Sequence, residues 1–477
     1  MRLNKKPSSM ALALPFVITT LMLSGCQTLG LDYFRPKQAL PETFQEPVAS
    51  SDQLHALPND WWTLYQDPVL NDLIDRASKN NTDIKIAVAR IEEADAYLSE
   101  VGAALFPQAN LDSSASRYRV TETGAIPVVN GMSPNRSNYN VKLGASYEID
   151  FWGKLRRAKE SARAQALASR FAKDTVDLSL KSLVAGDYLL LRSLDAQISL
   201  SQASIKTREE SLALTKRRLE GGVSSALDVH QAEVAYSNLK AQLAELSRQR
   251  AVIVHQLALL TGSLDLTVSP NTIANLPTPP LPPVGLPSSL LEARPDVRQA
   301  EQNLIAANAR IGVAKAALFP TISLTAGLGG ESKDLGDVLK SASRIWSGGL
   351  SLSVPVFDSG RLNAKVDQAT AEQKQLLAAY ERSVQQAFVD VNDALVNLRQ
   401  QAEIESALDS SQQSAKKALE VANNRYQSGY TSYLEVLDAQ RVANDTSLAF
   451  VQSRQARLKA SVELFKALGG GWTQSAK

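Results

Sequence analysis

Cys26 is the single cysteine of this 477-residue chain, and it follows Leu23-Ser24-Gly25. That tetrapeptide resembles a lipobox. The chemistry expected there is cleavage before Cys26, a diacylglycerol on its sulfur through a thioether, and a palmitoyl group on the new amino terminus. The residues in front fit an export signal: Arg2, Lys5 and Lys6 are basic, and Met10 to Leu23 form an apolar run too short to span a bilayer. A single cysteine offers no disulfide. Other groups that could do chemistry are sparse. His55, His230 and His255 have no carboxylate or cysteine at metal-ligand spacing, and His230 and His255 stand 25 residues apart. Gly327-x-Gly329-Gly330 opens no nucleotide-type helix and is expected to be a turn in an outer loop. The residues therefore predict no enzyme, no metal and no cofactor beyond the covalent lipid.

Composition narrows the class further. The formal charge is +2, and loss of Arg2, Lys5 and Lys6 leaves the mature chain near −1, so there is no basic field for nucleic acid. Aromatic residues make up 6%, lean for large globular cores, while Ala, Leu, Gln and Ser dominate long stretches. That usage suits long helices packed along narrow seams. No window after Cys26 has the roughly 18 apolar residues of a transmembrane helix.

The elements that position these residues come in two copies. Ala103-Ala104-Leu105-Phe106-Pro107 returns as Ala316-Ala317-Leu318-Phe319-Pro320, and Phe151-Trp152-Gly153-Lys154-Leu155 aligns with Asp358-Ser359-Gly360-Arg361-Leu362. Arg218-Leu219-Glu220-Gly221-Gly222 returns as Arg425-Tyr426-Gln427-Ser428-Gly429, at an offset of 207 residues. A long-period repeat means one supersecondary unit used twice. Each copy reads as a helix (68–105 in the first), two alternating strands, and a proline-free stretch of roughly 65 residues that makes a helix of about 100 Å. Heptad spacing such as Val384, Phe388, Val391, Leu395 and Leu398 predicts coiled-coil packing. Gly221-Gly222 and Gly429 close the helical hairpins. The expected organisation is a signal peptide at 1–25, an anchored extended arm at 26–60, a first repeat at 61–269 with its hairpin at 108–149, and a proline-rich strap at 270–287. A second repeat at 288–472, with its hairpin at 320–356, and a tail at 473–477 follow.

The four strands decide the assembly. Val141, Leu143, Ala145, Tyr147 and Ile149 alternate with polar or small residues, as do Ile322, Leu324, Ala326 and Leu328. Strands of about ten residues can cross a bilayer at a tilt. Lipid tolerates no open sheet edge, and four strands are too few to close a barrel. Several copies must then share one.

The lipobox, the duplication, Phe151-Trp152-Gly153-Lys154, Arg294-Pro295-Asp296, Phe357-Asp358-Ser359-Gly360-Arg361, Leu437-Asp438-Ala439-Gln440-Arg441 and the terminal Gly469-Gly470-Gly471-Trp472 together resemble the TolC-type outer-membrane efflux factors, lipoprotein (NodT-like) branch of RND efflux systems. The resemblance covers essentially the whole chain. It implies a mainly α fold with a membrane β part: a homotrimer sharing a twelve-stranded barrel continuous with a periplasmic α-helical coiled-coil barrel. It also implies a periplasmic adaptor, an inner-membrane RND-type pump and no catalysis. Gln27, by likeness to bacterial lipoproteins, favours sorting to the outer membrane. By the same resemblance Leu434 and Asp438 match positions that narrow the periplasmic entrance, and Arg425 and Tyr426 match residues that hold it closed. Leu434 and Asp438 are four apart on one helical face, so threefold symmetry would make an apolar ring and a carboxylate ring. Gln231 replaces Asp438 in the first repeat. The tips Gly221-Gly222-Val223-Ser224 and Gly429-Tyr430-Thr431-Ser432 are the expected adaptor contacts. Heavy-metal or type I secretion export stays open as a variant of this reading. So do a non-conducting coiled-coil lipoprotein and a general diffusion porin.

Overall fold

A computed structural model of the chain describes residues 28–37, 40–44, 58–125, 132–279 and 290–471. Cys26, Gln27, the signal sequence, Trp472 and the strap from 280 to 289 lie outside the described residues. In chain order the elements are α1 (Pro68–Asn80), α2 (Thr82–Ala103), β1 (Gln108–Arg119), β2 (Asn135–Ile149), α3 (Lys154–Glu220) and α4 (Ala226–Thr261). They continue with α5 (Pro295–Ala316), β3 (Thr321–Ser332), β4 (Arg344–Ser353), α6 (Arg361–Gln427) and α7 (Tyr433–Ala467). Two compact units result, each assembled from segments of both repeats.

The first unit comprises Met1–Pro36, Ile91–Ser169 and Ala300–Tyr380 and contains the sheet. The strands form an antiparallel meander in the order β1-β2-β3-β4, so β1 and β4 are edges. The register converts the alternation into two chemically distinct faces. Leu111, Leu143, Leu328 and Trp346 stand in one row across the sheet, and Ile149, Ile322 and Leu352 in another on the same face. Asn110, Gly144, Gly327 and Ser347 share a row on the opposite face. The apolar row is open, with Leu111, Leu143, Leu328 and Trp346 between 52% and 83% exposed. Gly327, Gly329 and Gly330 are residues of β3 and not a loop. The reason at Gly330 is a close approach: a Cβ there would lie 1.8 Å from the Val338 carbonyl oxygen, where the β3–β4 connection folds back.

Aspartates start both long helices from different positions. Asp150 accepts from the Leu155 and Arg156 amides at 2.9 Å, and Asp358 accepts from Leu362 at 2.9 Å. These bonds satisfy amides that a helix N-terminus otherwise leaves open. The Trp152 indole donates to the Pro320 carbonyl at 2.8 Å, bringing the two repeats together beneath the strands. The N-terminal arm is stitched there too. The Leu29 amide donates to the Trp152 carbonyl at 3.0 Å, and buried Arg157 donates to Asp32 at 2.7 Å.

The second unit comprises Lys37–Arg90, Arg170–Gln299 and Glu381–Lys477. Its core gathers Trp61, Tyr65, Leu70, Ile74, Tyr188, Leu257, Leu458 and Phe465, with the Trp61 and Phe465 rings 5.3 Å apart. The helix expected over 68–105 is broken at Asn81. Its Oδ1 accepts from the Asp83 amide at 2.8 Å and its Nδ2 donates to the Leu260 carbonyl at 3.0 Å, so one side chain ends α1, starts α2 and ties both to α4. An asparagine can leave the helix at little cost because it satisfies the freed backbone itself.

Buried charge fixes the start of the strap. Asp195 accepts from Arg250 at 2.6 Å, from Arg192 at 3.2 Å and from the Asn271 amide at 3.1 Å. Arg192 and Arg250 in turn donate to the Ser269 and Val268 carbonyls at 2.7 and 2.8 Å. Asp195→Ala leaves two guanidinium groups without their anion, and removing one partner of a buried pair costs about 3–5 kcal/mol. The helical melting midpoint of the purified protein should fall accordingly. An unchanged melting curve would show that the network is not holding the strap.

Candidate functional site

The hairpin tips lie in the second unit, and both are built by the same backbone device. At the end of α3 the Gly222 amide donates to Leu219 at 2.9 Å and the Val223 amide to Arg218 at 2.9 Å. At the end of α6 the Gly429 amide donates to Tyr426 at 3.1 Å and the Tyr430 amide to Arg425 at 2.9 Å. This is the Schellman arrangement, with glycine at the left-handed position: φ is +70° at Gly222 and +77° at Gly429. Gly221, just past the end of α3, has an ordinary φ, and its amide donates to the Arg217 carbonyl at 3.0 Å. Val223 and Tyr430 project into solvent at 75% and 80% exposure.

Each following helix starts on an acid. Ser225 caps α4 through a reciprocal pair with Asp228, whose carboxylate also accepts from the Ser224 hydroxyl at 2.8 Å. The Ser224 hydrogen bond, with those from Ser225, holds the Asp228 carboxyl below its ordinary range despite some burial. In the second tip Thr431 bonds Glu435, and Arg425 lies 3.5 Å from the same carboxylate.

Tyr426 and Arg425 are neighbours with different surroundings. Tyr426 is buried with Ala232, Ala422, Tyr433 and Val436. Its ring centroid is 5.7 Å from that of Tyr433, and the Arg218 guanidinium sits 4.4 Å above its ring. Arg218 is the repeat mate of Arg425, so a residue of the first tip covers the aromatic of the second. Arg425 itself remains exposed.

Leu434 and Asp438 line one groove with Leu227, Gln231, Val234 and Arg441. The repeat-related pairs are therefore brought together: Leu227 with Leu434, and Gln231 with Asp438. Asp438 is not a free carboxylate. It accepts from Arg441 at 2.8 Å, and that bond raises the Arg441 pKa further. Behind the groove, Arg208 of α3 donates to the Gln440 side chain at 2.6 Å. Burial pushes the Tyr433 hydroxyl pKa up and the nearby Arg208 pulls the other way. Arg208, Arg218, Tyr433, Glu435 and Arg441 carry these contacts, and none of them was assigned a role from the sequence, although Arg218 and Arg441 stand in its motifs. Arg218 was within reach through the repeat, whereas Arg208 gave no signal.

Among the described residues no group of three or more His, Cys, Asp or Glu is placed to hold a metal ion. The family model for outer membrane efflux proteins matches residues 73–263 and 286–470. The chain belongs to the outer membrane efflux protein family. It is 37% identical over 462 residues to the toluene efflux pump outer membrane protein TtgI of Pseudomonas putida, covering 95% of this chain and 97% of that protein. It is 33% identical over 470 residues to the probable outer membrane lipoprotein SilC of Salmonella typhimurium, covering 96% and 98%. Its fold resembles the open state of the Neisseria gonorrhoeae MtrE outer membrane channel, with a TM-score of 0.84 at 32% identity over 94% of this chain and 100% of that one. This efflux protein is thus an outer-membrane channel, mainly helical with a membrane β part, and a transport protein rather than an enzyme.

Proposed function

We propose that the channel is the exit duct of a tripartite efflux system. Three copies close a twelve-stranded barrel, and the tips at Gly221, Gly222, Val223, Gly429 and Tyr430 meet a periplasmic adaptor that couples the duct to an inner-membrane RND-type pump. Leu434 and Asp438 narrow the periplasmic entrance, Tyr426 and Arg425 hold it shut, and lipid on Cys26 anchors each chain. The observation that carries this reading is the sheet. It has an exposed apolar face, a polar face and two unpaired edges, an arrangement that lipid accepts only when copies close the ladder. A non-conducting spacer would leave that face without a partner.

Arg441 qualifies the carboxylate ring. Three Asp438 groups each paired with a cation impose a weaker cation preference than three free carboxylates. In planar bilayers under a potassium chloride gradient, the purified trimer should conduct with modest cation preference. Asp438→Ala should shift the reversal potential toward anions and Arg441→Ala toward cations. A selectivity indifferent to both places the constriction elsewhere, and a monodisperse monomer with retained β signal refutes the shared barrel.

A further inference from the structure

The groove lined by Leu434 and Asp438 runs between α4 and α7 and has a volume of about 650 Å³, enough for a drug-sized molecule. Its walls are mostly apolar, formed by Leu227, Val234, Leu239, Leu434 and Leu437. Arg208 reaches its floor from α3 and also lines a smaller hollow of about 210 Å³.

Arg208 stands apart from the other buried arginines. Arg157, Arg192 and Arg294 each have a carboxylate at ion-pair distance, in Asp32, Asp195 and Asp296. Arg208 is 6% exposed, yet among the described residues no carboxylate reaches ion-pair distance from it. Its hydrogen bond at 2.6 Å goes to a neutral amide, that of Gln440, and the Tyr433 hydroxyl is nearby. Of the two acids of the groove, Asp438 lies 2.8 Å from Arg441, while Asp445 lies 3.4 Å from Arg441 and acts on Arg208 only from beyond ion-pair distance. A guanidinium removed from water with no anion in contact carries a desolvation cost, which a contacting anion offsets in part. Guanidinium also presents several donors in a fixed fork that suits a carboxylate or sulfonate.

The geometry points to this groove as a binding site for amphiphilic organic anions, with the acid group on Arg208 and the apolar body against the leucine wall. The occupant is cargo on its way through the tips, and only that origin rests on the proposed duct function. The charge complementarity does not.

The test uses the full-length protein in lipid nanodiscs and two probes of equal shape, 2-naphthoate and the uncharged 2-naphthamide, titrated by calorimetry. A hydrogen bond between charged groups favours the anion by roughly tenfold or more in affinity over the amide. Gln440→Glu places a carboxylate on Arg208, supplies the missing anion internally and should erase the preference. Arg208→Gln should erase it by removing the cation. Wild-type protein with no anion preference overturns the proposal, including the case in which a second copy or an adaptor acid already fills the site. A preference that survives Gln440→Glu overturns it as well. Binding is read without conduction, so failure here leaves the duct standing. Failure of the Asp438 and Arg441 selectivity test likewise leaves this result standing.

Discussion

Leu328→Arg should leave almost no assembled channel in the outer membrane. Leu328 sits in the row Leu111, Leu143, Leu328, Trp346, between the row Ala109, Ala145, Ala326, Gly348 and the row Ser113, Val141, Gly330, Arg344, and is 63% exposed on the apolar face. An arginine on a lipid-facing barrel wall costs up to about 2–4 kcal/mol, the full value applying at the bilayer midplane. A shared barrel repeats the substitution three times, so the total rivals the whole stability of an ordinary domain. The control is Ser146→Arg, because Ser146 pairs with Gln108 and Thr325 on the polar face. Membrane fractions analysed by semi-native electrophoresis should show the trimer band lost in Leu328→Arg and kept in Ser146→Arg. Equal loss in both would mean that the two faces do not meet different solvents.

The second large effect belongs to Tyr426→Ala. The ring is buried against Tyr433 and lies under Arg218, so truncation removes packing on the scale of about 3–5 kcal/mol together with a cation–π contact. If the closed tip depends on that cluster, the closed-to-open balance moves by roughly two to four orders of magnitude per chain. Single-channel conductance and vancomycin uptake by cells should both rise. Arg425→Ala should do far less. Its partner Glu435 is exposed, at 42%, and such pairs contribute about 0–1 kcal/mol. Tyr426→Ala conducting like wild type, or Arg425→Ala matching it, would remove this cluster from the gate.

The sequence made the large elements readable because each is written in a periodic code. Alternation at 141–149 and 322–328 indicated strands, and the register then joined Leu143 to Leu328 across the two repeats. Proline-free heptads indicated the long helices, and the repeated Arg-x-x-x-Gly at 218 and 425 located both Schellman turns. The break at Asn81 was invisible, since a lone asparagine inside an apolar periodicity resembles a surface position until its partners at 83 and 260 are known. The three glycines at 327–330 suggested a turn, but at Gly330 the reason is a carbonyl arriving from Val338, a tertiary fact. Asp438 was readable as an acid on the same helical face as Leu434, while its engagement by Arg441 depended on rotamers. Arg208 was lost among many helix arginines because burial, not spacing, sets it apart.

The middle ladder of the sheet has a consequence for biogenesis. Ile149 pairs with Ile322 and Tyr139 with Ser332, so the contact that unites the two strand hairpins spans more than 170 residues of chain. Pairings so distant in sequence form slowly, because the intervening loop must be closed before any bond rewards it. During export, β1 and β2 emerge long before β3 exists. They must wait with an apolar face and an open edge in water, the state most prone to aggregate. The rate of channel production should therefore be limited by the chaperoning of that first hairpin rather than by the helices, which close on local contacts as they emerge.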